Sequence, residues 1–272
     1  MSDNTNLPAI RRQVTELVLS GSSKQAEAAF NEAAEQFGDL AVVEVLETLE
    51  PHVASLHLSA YDGGKMSLAT MLIPPKAWAE SLAFFAATWD EDKIEDETEV
   101  LAESLFSHIH SVIYASDDPE RRAALIHAAL STDWGTTAFA VIFSTAIEEI
   151  VEIANQIHSR GALSSGQTTS DHDVIPLALE IARTDTDAWE RVIFEIFPEW
   201  QPDSDQKLVA SDEYSNDDPE DESEKEYGES ESVASRSTKE LMFRLRKQVP
   251  TKSVSKSPRK GRRPSLGEAI FA

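Results

Sequence analysis

The stretch Ala138–Ile157, AFAVIFSTAIEEIVEIANQI, is the longest apolar run in the chain, and its reading decides the fold. Crossing a bilayer as a helix takes about 20 mostly apolar residues. Here Glu148, Glu149 and Glu152 interrupt the run at positions that share one side of a helix. The stretch therefore predicts an amphipathic core helix, opened by Thr132 or Asp133 and reaching Arg160.

The same grammar extends in both directions. Upstream, Asp117-Asp118-Pro119 places two acids and a proline where a helix N-terminus favours them, and predicts a helix over 119–131. Pro74-Pro75 starts another, expected to hold Trp78, Leu82, Phe85 and Trp89 on one run. Gly38 ends an Ala- and Glu-rich helix, Lys24 to Phe37, and Pro51 opens the next but one. Downstream, Ser170 or Asp171 caps a helix to Ala182, and Asp185 or Asp187 caps a last one to Phe197. Alternating apolar and polar runs are scarce, so no strand is expected. Three stretches, Ala28–Leu46, Ala124–Phe143 and Ala178–Phe194, share a helix, a short turn and a second helix, but at no fixed period. The expected fold is all-α over residues 7–200, an irregular multi-helix bundle or a short stack of helical hairpins, after a flexible N-terminus at 1–6.

Charge divides the remainder. The net charge is −25, yet residues 201–232 hold 13 acidic and 2 basic side chains while 233–272 hold 11 basic and 2 acidic. The first segment has too few large apolar residues to offset chain entropy and reads as an acidic disordered linker over 201–235. The second reads as a basic tail over 236–272. Within it Ser237 to Glu240 forms an S-x-x-E capping box, followed by a short amphipathic helix near 237–249. Leu241, Met242, Phe243, Leu245 and Val249 are its apolar residues and the candidate partner-binding set. Two uses are open for them: folding onto a protein partner, or docking back onto the acidic remainder of the chain.

Arg244, Arg246, Lys247, Lys256, Arg259, Lys260, Arg262 and Arg263 make the basic cluster that suits nucleic acid or a two-part nuclear import signal. Ser257, before a proline, and Ser265, after Arg262-Arg263-Pro264, are candidate phosphorylation sites whose modification would cut that charge.

Signals for chemistry are missing. With no cysteine, disulfides, thiolate catalysis and Cys-based zinc sites drop out. The seven histidines avoid the spacings of three or four that metal-binding helices use; His108 and His110 are two apart. No glycine-rich phosphate loop or G-x-S-x-G elbow occurs. No catalytic, cofactor or metal residue is nominated. An acidic body repels phosphate, so nucleic acid is expected through the tail only. With no secretory leader and no spanning segment, the expectation is an intracellular, cytoplasmic protein, nuclear in a eukaryotic host. The function expected is that of a non-enzymatic protein–protein interaction protein of adaptor, scaffold or assembly-chaperone type, viral accessory proteins included. The alternative is a nucleic-acid-associated protein, nucleoprotein-like or chromatin-associated.

Overall fold

The computed structural model describes residues 7–60, 67–160, 174–201, 207–210 and 232–250. The regular structure of these residues is helical apart from one short strand pair, so the fold is all-α. The chain divides into two units, one of residues 1–135 and 245–272, the other of residues 136–244, and the expected domain over 7–200 is spread across both.

The first unit opens with α1 (Leu7–Leu19), α2 (Ser23–Phe37), α3 (Asp39–Thr48) and α4 (Pro51–Ala60). Gly38 takes a positive φ of 84° between α2 and α3, the left-handed backbone that glycine adopts without a Cβ penalty. Short α5 (Leu68–Leu72) leads to α6 (Pro75–Leu82), then α7 (Glu91–Asp96), α8 (Thr98–Ile113) and α9 (Pro119–Leu130). Asp90 and Asp118 accept backbone N–H bonds at the starts of α7 and α9, as short polar caps do. The helix expected to carry both Trp78 and Trp89 ends at Leu82, and a 3₁₀ turn, Phe85–Thr88, carries the chain on. The core is built around Phe30, Leu46, Trp78, Leu82, Leu105 and Ile109, all essentially inaccessible.

Two polar devices lock this unit. Arg121 of α9 donates to the carbonyls of Thr70 (2.9 Å) and Ile73 (3.1 Å), closing the C-terminal end of α5. Glu27 of α2 is 4 % exposed, and its carboxylate accepts from Ser67 Oγ at 2.9 Å and from the Leu68 N–H. His57 of α4 sets Nε2 3.0 Å from the same carboxylate. Burial pushes the Glu27 carboxyl up, but the bonds from His57, Leu68 and Ser67 outweigh it and leave it below the usual carboxylate value.

The second unit contains most of α10 (Asp133–Phe143), then α11 (Ile147–Arg160), α12 (Val174–Thr184) and α13 (Thr186–Ile196). The long helix expected over 133–160 is broken by a 3₁₀ turn at Ser144–Ala146. Ser144 Oγ there donates 2.7 Å to the Val141 carbonyl, the back-bonding that bends helices. Ile150, Ile153 and Ala154 of α11 are buried, while Glu149 and Glu152 are on the accessible side.

Beyond Trp200 the described residues depart from a solvated linker. Strands β1 (Lys207–Val209) and β2 (Ser232–Ala234) pair in parallel, Leu208 opposite Val233. Asn155 of α11 holds β1 by both ends of its amide, to the Leu208 carbonyl at 3.2 Å and its N–H at 3.3 Å. Leu208 and Val233 are buried, but three residues per strand are too few to register as alternation. The last helix among the described residues, α14 (Thr238–Lys247), is the one its capping box predicts: the Glu240 N–H donates 3.2 Å to Ser237 Oγ.

Candidate functional site

The first unit contains a half-open cavity of about 600 Å³ between α4 and α8, floored by the 3₁₀ turn. Helix α8 brings one stripe to it: Leu101, Ser104, His108 and Ser111, spaced three, four and three apart. Helix α4 supplies Ser55, Leu58 and Ser59, and the turn supplies Phe85 and Trp89. Lys93 and Glu97, both exposed, are the ionisable residues of its lining besides His108.

His108 is the unusual member. It is 6 % exposed, and neither ring nitrogen has a hydrogen-bond partner among the described residues. Its ring sits 4.7 Å from that of Phe85, tilted by 32°, with Phe85 in turn edge-on to Trp89. Burial penalises the imidazolium and pushes His108 down to about 4, so the ring is neutral at physiological pH. In that neutral state it carries one donor and one acceptor nitrogen, both buried.

Glu27, His57 and Ser67 have the residue types of a nucleophile–base–acid triad but not the arrangement. Ser67 Oγ donates straight to the carboxylate, which stands between hydroxyl and imidazole, and all three are buried. A working nucleophile needs its hydroxyl against the base; this cluster is a clamp between α2, α4 and the start of α5. Among the described residues no three His, Asp or Glu side chains gather where a metal could be held. No helix among them is long and apolar enough to cross a membrane.

The structure spreads the sequence-predicted residues over different environments. Leu241, Met242 and Leu245 are fully buried, and Phe243 and Val249 are half-buried. The apolar side of the described helix is thus buried within the chain itself. Arg244 is bidentate to Glu195, Nε at 2.7 Å and Nη2 at 3.1 Å, a bond that raises its already high pKa. In the first unit Arg246 donates to the Trp89 carbonyl and pairs with Glu91 at 3.5 Å. Lys247 is exposed. Lys256, Arg259, Lys260, Arg262, Arg263, Ser257 and Ser265 lie outside the described residues.

Reading histidines pairwise for metal spacing misses His108. The available signal was polarity on a stripe that should be apolar: at three–four–three spacing after Leu101, α8 carries Ser, His and Ser. Compared with family models, with curated proteins and with solved structures, the chain gives no match.

Proposed function

We propose that the chain is a non-enzymatic protein–protein interaction protein of adaptor, scaffold or assembly-chaperone type, and that the corner between α2 and α3 is its partner face. One observation carries the reading. Leu40 is 82 % exposed and Phe37 37 % exposed, on either side of Gly38. A single exposed leucine would need no explanation. Two large apolar side chains at one corner, with exposed Glu35, Asp39 and Glu44 beside them, make an apolar centre in a negative rim. The occupant that fits is a basic segment with an apolar side chain to bury. The absence of cysteine is compatible with work inside the cell.

Nucleic acid through the basic tail is the weaker reading. Arg244 and Arg246 are occupied by carboxylates, and a chain of net charge −25 repels phosphate. The test is affinity capture with the full chain against Phe37→Ser/Leu40→Ser, with Val100→Ser as the control for another exposed apolar side chain. A protein held by the wild type and the control but lost with the double variant, then re-bound in purified form, supports the reading. Identical captured sets for all three baits overturn it.

A further inference from the structure

We infer that the corner between α2 and α3 is the seat of the chain's own basic segment, residues 252–271, which docks there in cis and competes with a protein partner. This rests on the protein-binding reading of the corner and names what covers it when no partner is bound. The receiving face is one-sided in charge. Between Lys24 and Lys65 the sequence holds no lysine or arginine. Glu32, Glu35, Asp39, Glu44, Glu47 and Glu50 are exposed along α2, α3 and the turn after them. Against these six acids stand two arginines, Arg11 and Arg12, of α1, the helix that packs on both, so the face around Phe37 and Leu40 stays negative.

Residues 252–271, outside the described residues, match both features of that face. They hold six basic side chains against one acid, Glu268. Leu266, Ile270 and Phe271 follow the last arginine and bring large apolar side chains for Phe37 and Leu40 to cover. The other segments outside the described residues fit worse. Residues 211–231 are strongly acidic and would be repelled, while 1–6, 61–66, 161–173 and 202–206 carry at most one lysine or arginine each. The segment also starts in the right place. Arg246 of α14 pairs with Glu91 at 3.5 Å and donates to the Trp89 carbonyl, both in the unit that carries the corner. From Pro250 the sixteen residues to Leu266 reach roughly 50 Å when extended, at about 3.3 Å each. A compact body of this length has a radius of gyration of only about 15 Å. A short tether holds its segment at an effective concentration in the millimolar range, so a contact too weak to persist between separate molecules is populated in cis. Exposed ion pairs are individually weak, so the acidic rim steers the segment and apolar burial holds it.

Because the sequence has no cysteine, Ser265→Cys gives a single place for a nitroxide label. Amide spectra of the full chain are then compared with the label oxidised and reduced. Residues 35–44 should lose most of their intensity in the oxidised sample, to the same extent on dilution. Phe37→Ser/Leu40→Ser should restore it, and so should Ile270→Ser/Phe271→Ser, which leaves the corner untouched. Intensities at 35–44 no lower than across the rest of the first unit overturn the inference, as does a loss that both variants leave unchanged. A loss that reaches nitroxide-free copies mixed with labelled ones marks a second copy as the source and overturns it too. Affinity capture separates the seat from the reading it rests on: Ile270→Ser/Phe271→Ser should capture several-fold more of the partner than the wild type. A partner lost with Phe37→Ser/Leu40→Ser but captured equally by the tail variant overturns the competition and leaves the protein-binding reading standing. Label proximity without any captured partner overturns that reading and supports the seat.

Discussion

Replacing His108 with phenylalanine should stabilise the protein near neutral pH, and by more as the pH falls. In the native state the imidazole is buried with neither nitrogen partnered among the described residues. An unsatisfied buried polar group costs about 1–3 kcal/mol, which an apolar ring of similar shape does not incur. At pH 7.5 the variant should therefore gain roughly 1–2 kcal/mol. The pH term adds to this. The folded pKa is depressed from 6.5 to about 4, so between those values the unfolded chain binds the proton and the native state does not. Stability contributed by the neutral ring is complete above 6.5 and is lost as the pH falls through about 4. A shift of that size corresponds to roughly 3 kcal/mol over the whole window, since one pKa unit is worth about 1.4 kcal/mol. Phenylalanine has no such dependence. Urea unfolding of both proteins at pH 7.5, 6, 5 and 4 should give stability curves that diverge toward acid, with the variant above. Parallel curves, or a variant less stable than wild type at pH 7.5, would refute the account of His108 as an unpaired neutral ring.

Other predictions concern single contacts. Gly135→Ala, normally stabilising in a helix by about 1 kcal/mol, should here destabilise by about 2 kcal/mol or more, because the new Cβ would fall 2.0 Å from the Ala129 carbonyl oxygen and 2.8 Å from Thr132 Oγ1; a raised thermal midpoint would contradict this. Glu27→Ala should cost about 3 kcal/mol or more, since the Leu68 N–H, Ser67 Oγ and His57 would all lose a buried acceptor. Because Glu27 sits below the usual carboxylate value, its contribution is present above the unfolded carboxylate pKa, near 4.3, and fades as acid drives the pH through the lower folded value. Wild type should thus lose its advantage over Glu27→Ala in strong acid, measurable by denaturant midpoints, and a constant difference down to pH 2 would count against it.

The two polar sites and the tail show how far the sequence could be read. Helix starts were legible wherever a cap is local: Asp118 accepts from Glu120, Asp185 from Ala188 and Ser237 from Glu240, each within three residues. Helix interruptions were less so. The 3₁₀ turns at Phe85–Thr88 and Ser144–Ala146 lie inside runs whose apolar spacing continues, and no proline or glycine marks them. Long-range pairing was invisible. Glu27 is one of 49 acids, and only packing of residues 30 and 40 positions away makes it a buried clamp. His108 has no metal-binding spacing, and only the serines that share its stripe mark it in the sequence. Burial in the tail is not legible from local composition: Leu208, Val233, Leu241, Met242 and Leu245 are sparse among charges, yet all are buried.

What holds α14 follows from comparing magnitudes. Its charged contacts are well formed: Arg244 on Glu195, with Arg236 3.7 Å from the same carboxylate and donating 2.8 Å to the Glu195 carbonyl. Arg244 is nevertheless 39 % exposed along its side chain, and exposed pairs contribute about 0–1 kcal/mol. Leu241, Met242 and Leu245 are each buried to 0 % exposure, at roughly 1.5–3 kcal/mol apiece. The apolar stripe therefore holds the helix and the arginines fix its rotation and register. Charge alone would predict release in salt, because screening at 1 M leaves a Debye length of about 3 Å. The packing argument predicts the reverse: amide exchange of residues 241–247 should stay slow in 1 M NaCl and become fast in Leu245→Ala, a change costing about 2–5 kcal/mol at a buried site. Exchange that quickens in salt while the leucine variant remains protected would mean that the ion pairs, not the stripe, keep the basic helix on an acidic protein.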